Sequence, residues 1–127
     1  MLLLLLATQI AAAPAAELNR QSIYFDSGKG SDIRPEWTGV LDTVAASVRE
    51  HGGRVRLDSF SDRSGSHEAN RRVSLQRGQT VRQALIQRGV SNASIAIVAH
   101  GEGDSLVPTC DGVREPQNRR VDLTLVP

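Results

Sequence analysis

Between residues 37 and 57 the apolar positions change period, and that change limits what this chain can build. Trp37, Val40, Leu41, Val44, Ala45 and Val48 recur at i, i+3, i+4, i+7, i+8 and i+11, a single stripe along a helix. Pro35 and Glu36 suit the first turn of that helix, and Gly52-Gly53 ends it. Val55 and Leu57 then alternate with Arg54 and Arg56, the period of a strand with one buried face. Both patterns recur along the chain. Ser22 to Phe25 predicts a first strand with Ile23 and Phe25 on one face, and a second helix is expected from about Ser66 to Arg88, stopped by Gly89. Ile95 to Ala99 and the alternating Val121, Leu123 and Leu125 predict two more strands. The order strand, helix, strand, helix, strand, loop, strand calls for a sheet with helices packed against it. The polar connection 101–118, with Pro108 and Pro116, reads as a long loop or as one holding a short helix near Glu115.

With 127 residues, 39% hydrophobic and 23% charged, the chain fits one domain able to bury a core. Aromatic residues are only 3%, so that core must come from Val, Leu, Ile and Ala. A net charge of +1 gives no field suited to nucleic acid, and so few aromatics leave no platform for stacking bases. Residues 1–15 read as a signal peptide: a leucine-rich run ends at Ala13-Pro14-Ala15, an A-x-A site with cleavage expected after Ala15. Residues 16–21 read as a linker and 22–127 as the domain. No cysteine follows the apolar run, so a lipid anchor is not expected.

The densest chemistry lies in Asp62 to Gly78. A turn containing Asp62 and Gly65 leads into the second helix, where Asn70, Ser74 and Arg77 fall at i, i+4 and i+7 on one face. Side chains on a helix lean toward its N-terminus, so Arg77 is aimed at the end where Asp62 enters. A carboxylate and a guanidinium converging on one turn suit a zwitterionic amino-acid head group. Taken singly, Asp62 also reads as a turn or cap residue, and Arg77 as a solvated helix arginine.

The pattern Ser61-Asp62-x-x-Gly65-Ser66-x-x-x-Asn70-x-x-Val73-Ser74-x-x-Arg77-Gly78-x-x-Val81 resembles the signature of OmpA-like domains, a family that includes the MotB and Pal periplasmic domains. Ile23-Tyr24-Phe25-Asp26, Arg34-Pro35-Glu36, Gly101-Glu102 and Asn118-Arg119-Arg120-Val121 extend the similarity over nearly the whole chain after residue 21. The resemblance implies an α+β fold, the OmpA-like βαβαββ sandwich, with a mixed four-stranded sheet and helices packed on one face. It also implies non-covalent binding of peptidoglycan in the periplasm or cell envelope, in association with the outer membrane. Asp62 would hold the amine and Arg77 the carboxylate of diaminopimelate in the stem peptide, with Asn70, Ser61 and Ser74 around them. Ser61 stands where threonine is usual. Gly78 replaces the usual alanine, at a cost to the helix of about 1 kcal/mol in propensity. Asn118, Arg119 and Arg120 suit ligand contact as well as surface or strand-end ion pairing, and are read as structural.

The alternative is an interaction module that docks to cell-envelope membrane proteins of a stator or secretion complex and binds the wall weakly. A hydrolase is disfavoured, because no nucleophile or oxyanion turn accompanies Asp58 and Asp62. His51, His67, His100 and Cys110 match no zinc spacing, so neither metal nor cofactor is expected. Some OmpA-like domains carry a disulfide in the late loop; Cys110, the single cysteine of this chain, has no partner for one. Cys110→Ser should therefore change stability by no more than about 0.5 kcal/mol in urea unfolding. A larger loss would give this thiol a structural role.

Overall fold

The computed structural model describes residues 20–103 and 105–127; the expected signal peptide at 1–15 lies outside them. The described elements are β1 (Arg20–Tyr24), α1 (Thr38–His51), β2 (Arg54–Phe60), α2 (His67–Gln87), β3 (Ile95–Gly101) and β4 (Arg120–Val126). They form a four-stranded sheet in the order β1-β4-β2-β3. β4 is antiparallel to both β1 and β2, whereas β2 and β3 run parallel, joined by the α2 crossover. The sheet is mixed, as expected.

The helical stripe packs onto one face of this sheet. Leu41, Val44, Ala45 and Val48 of α1 and Val81 and Leu85 of α2 are buried against Ile23, Val55, Leu57, Val121 and Leu123. Burying each such aliphatic side chain is worth about 1.5–3 kcal/mol, so this layer dominates the stability. The helix-free face is held by charge instead. Asp122, 3% exposed, accepts from Arg20, Ser22 and Arg120 at 2.9, 2.7 and 3.1 Å. Arg120 lies 4.0 Å over the Phe60 ring, which stacks on His100 at 4.5 Å.

Several boundaries differ from the expected ones for identifiable reasons. β1 begins at Arg20, inside the stretch read as a linker, because Arg20 and Gln21 pair with Thr124 and Leu123 of β4. Nothing in that polar run alternates, so the neighbour strand specifies it. The first turn after Pro35 is a tight 3₁₀ turn (Pro35–Trp37) rather than α-helix, a common way for an α-helix to begin. A further 3₁₀ turn at Pro116–Asn118 is the short helix envisaged near Glu115. α2 starts one residue past Ser66, whose hydroxyl caps it by accepting from the Ala69 amide. It ends before Gly89, whose φ of 92° is poorly accessible to other residues.

Gly78 has a packing reason beyond helix propensity. A Cβ there would lie 2.8 Å from Ile97 Cγ2 and 3.2 Å from Ser59 Oγ, so the glycine lets α2 approach the sheet. Restoring the usual alanine gains about 1 kcal/mol of propensity but overpacks a stiff β-branched neighbour, which costs about 1–3 kcal/mol. Gly78→Ala should thus be neutral to destabilising in urea unfolding. A clear gain in stability would contradict the close packing of α2 on β3.

Candidate functional site

Arg77 is where the chain spends its most costly burial. Only 1% of it is exposed, and its guanidinium donates to three main-chain carbonyls. Nε reaches Lys29 O at 2.8 Å, Nη1 reaches Phe60 O at 3.0 Å, and Nη2 reaches Asp26 O at 3.1 Å. The Phe25 ring lies 5.5 Å from its Cζ. Burial pushes the Arg77 pKa down to about 10, against the opposing pull of the nearby Asp62 carboxylate. Arg77 is thus a hub joining the end of β2 to the turn that follows β1.

Asp62 sits just past β2 and is also buried, at 3% exposure. Its Oδ1 accepts from the Ser64 hydroxyl at 2.6 Å and the Ser64 amide at 3.2 Å. Its Oδ2 accepts from the Glu115 amide at 3.1 Å and from Arg119 Nη1 at 3.2 Å. Burial alone would raise the Asp62 pKa, but the Ser64, Glu115 and Arg119 donors outweigh it and hold the carboxyl below its usual range. The Asp62 carboxylate lies near enough to Arg77 to oppose the effect of its burial.

The other three expected residues serve the loop architecture. Asn70 accepts from the Gly65 amide at 3.2 Å and donates to the Gly65 carbonyl at 3.1 Å, clamping the turn to the helix. Ser74 donates to Arg71 O at 2.9 Å and accepts from the Gly101 amide at 3.0 Å. Ser61 donates to Asp62 O at 2.9 Å. Each of the three is at most 5% exposed.

Arg119 is the participant to which sequence reading gave a structural role. Its Nε donates to Phe25 O at 3.0 Å while Nη1 pairs with Asp62, and its side chain retains 13% exposure. The motif Asn118-Arg119-Arg120 was in view, but nothing in it separates the three roles. Asn118 pins the late loop by accepting from the Val107 amide at 2.9 Å and donating to Val107 O at 2.7 Å. Arg120 joins the ladder on the helix-free face, so those two are structural as read. Asp58 bonds His100 at 2.9 Å and Arg56 at 2.8 Å there, apart from the partners of Asp62.

A charged rim borders the turn. Glu102 meets His67 through one carboxylate oxygen and Arg63, at 3.2 Å, through the other, and Arg63 also pairs with Asp111. One ligand atom each from His67, Glu102 and Asp111 falls within 4.8 Å of the others. The Arg63 guanidinium already supplies positive charge to both carboxylates.

The fold and the site together define a helix-backed mixed sheet whose strand-to-helix turn buries an aspartate beside two arginines. Residues 24–119 match the OmpA family, and the chain belongs to that family. The peptidoglycan-associated lipoprotein of Pseudomonas putida is 32% identical over 85% of this chain and 65% of its own length. An outer membrane protein of Gluconacetobacter diazotrophicus is 36% identical over 68% of this chain and 24% of its own length. The chain therefore spans less than two thirds of these curated relatives. The crystal structure of the peptidoglycan-associated lipoprotein from Burkholderia pseudomallei superposes with a TM-score of 0.75 at 28% identity, covering 82% of this chain and 88% of that one. No helix among the described residues is long and apolar enough to cross a membrane.

The depressed Asp62 pKa carries a stability consequence. The folded state holds this proton less tightly than the unfolded chain does. Its contribution is therefore complete above the ordinary value of 3.8 and is lost as pH falls through the folded value. Urea unfolding of Asp62→Asn should show lower stability at neutral pH and a shallower decline below about pH 4. An acid limb as steep as the wild type's would mean that Asp62 is not the group whose protonation loosens the turn.

Proposed function

We propose that this domain binds peptidoglycan non-covalently in the periplasm, in association with the outer membrane, by gripping the diaminopimelate of the stem peptide. The observation that carries the reading is the Asp62–Arg119 ion pair beside the buried Arg77, at the strand-to-helix turn of an OmpA-family domain. The names of its relatives, peptidoglycan-associated lipoproteins among them, support peptidoglycan as the ligand.

The chemistry is an exchange of ion pairs. The free end of diaminopimelate carries an ammonium and a carboxylate on one carbon. Its ammonium takes the place on Asp62 that Arg119 Nη1 holds. Its carboxylate goes to the guanidinium side, received by Arg119 from the surface and by Arg77 from beneath. Arg77 commits three of a guanidinium's five N–H donors to carbonyls, which leaves two. Charge-assisted hydrogen bonds at both ends of one head group are stronger than neutral ones and fix its orientation. Asn70, Ser61 and Ser74 contribute by holding the turn in shape.

Sedimentation with purified sacculi tests this directly. Asp62→Ala and Arg119→Ala should each weaken binding by about 2–5 kcal/mol, because either leaves one ligand charge unpaired in a partly desolvated site. Arg77→Lys should also bind poorly, since a point charge cannot reproduce a planar fork. A stem tripeptide ending in diaminopimelate should bind more tightly than one ending in lysine, which lacks the second carboxylate. Equal binding of the two tripeptides, or wild-type sedimentation of Asp62→Ala with native circular dichroism, would remove the clamp.

A further inference from the structure

The register of the sheet arranges the side chains of its helix-free face in rows. Thr124 of β4 pairs with Arg20 of β1 on one side and with Arg56 of β2 on the other. Two arginines thus flank one hydroxyl, their Cα atoms about 10 Å apart at two strand spacings. The next row is Ser22, Asp122 and Asp58. Its carboxylates orient the arginines: Arg20 Nη2 donates to Asp122 at 2.9 Å and Arg56 Nε to Asp58 at 2.8 Å. Asp122 also accepts from Ser22 and Arg120, and Asp58 also bonds His100. The arginines keep donors in reserve. Their side chains are 55% and 53% exposed, and each of those bonds uses one of a guanidinium's five N–H groups. These rows line an open hollow of 410 Å³. On its β3 side the charge stops: Ala96 pairs with Arg56 and Val98 with Asp58, and both are exposed, Val98 to 43%.

We propose that this face docks an acidic segment of a partner protein, an extended peptide whose carboxylate lies over Thr124 between Arg20 and Arg56. Charge complementarity selects the occupant. Three arginines and two aspartates line the hollow and leave one positive charge, the complement of a single carboxylate. A phosphate dianion would leave the site net negative. Two planar guanidinium forks and the hydroxyl between them offer convergent donors to the two carboxylate oxygens. The aspartates already hold the forks, so less side-chain freedom is lost when the ligand arrives. The apolar strip decides for a peptide over a small anion. Ala96 lies two strand spacings from Thr124, about 10 Å, which an extended chain covers in about three residues. An acidic residue on the arginine row therefore places the apolar residue three positions on over Ala96 and Val98. The face shares neither Asp62 nor Arg77 with the head-group clamp, so the two sites can be occupied and tested separately.

The experiment titrates the full chain by calorimetry with three probes: the capped peptide acetyl-Glu-Ala-Ala-Leu-amide, its counterpart with Gln in place of Glu, and inorganic phosphate. The Glu peptide should bind saturably and at least tenfold more tightly than the Gln peptide. Arg20→Gln and Arg56→Gln should each close most of that gap, whereas Val98→Ser should weaken both peptides alike. All three variants should keep native circular dichroism and wild-type sedimentation with sacculi, because none touches the clamp. Equal affinity for the Glu and Gln peptides, or an unchanged gap in the Arg20→Gln, Arg56→Gln double variant, would overturn the proposal. Phosphate binding without a response to either peptide would overturn the peptide occupant and make the row a phosphate site. Silence towards all three probes would overturn the site itself. Loss of sacculus sedimentation in the arginine variants would show that this face serves the wall and would overturn its assignment to a protein partner.

Discussion

A guanidinium buried to 1% exposure is the constraint around which the rest of this structure is arranged. Removing a charge from water is costly, and it is tolerated here because Arg77 donates to three main-chain carbonyls. Those carbonyls belong to Asp26, Lys29 and Phe60, so one side chain of α2 ties the turn after β1 to the end of β2. The clamp holds irregular backbone where the domain needs a fixed, non-repetitive surface.

Asp62 is the second buried charge. Four hydrogen bonds, from Ser64, Glu115 and Arg119, keep its carboxylate ionised despite its burial. The exposed end of this arrangement is Arg119, an arginine that can surrender one partner while keeping Phe25 O. In our reading a zwitterionic head group is recognised because it supplies both replacement charges at once. A ligand carrying only an ammonium would leave Arg119 unpaired, and one carrying only a carboxylate would still have to displace the pair. Specificity then arises from the cost of leaving a charge unmatched rather than from extra contact area.

The sequence displays whatever is periodic. α1, β2 and β4 could be placed from spacing because each buries one face against the same aliphatic layer, and that forces regular alternation. β1 was less legible: Arg20 and Gln21 are strand only because β4 lies alongside them. The spacing of Asn70, Ser74 and Arg77 gave a shared direction correctly, but direction carries no information about depth. Depth depends on which segments fold over the helix face. Hence Arg77 could be named as a site residue while its three carbonyl partners could not. Arg119 escaped for a related reason: its carboxylate partner is 57 positions away, and no local pattern distinguishes it from Arg120 beside it. Gly78 likewise read as a lapse in helix propensity until Ile97 was seen to occupy the space.

The most direct measurement of the central claim is the solvent exchange of arginine side chains, followed by nitrogen-resolved NMR of their Nε–H groups. If Arg77 is the buried hub, its Nε–H should exchange far more slowly than those of exposed arginines such as Arg72, because exchange requires the hub to open. On adding the diaminopimelate tripeptide, the Arg119 resonance should shift as its partner changes from Asp62 to the ligand carboxylate, while the Arg77 Nε–H stays protected. An Arg77 Nε–H exchanging as fast as that of Arg72 would contradict the account, since the guanidinium would then not be held by the carbonyls of Asp26, Lys29 and Phe60.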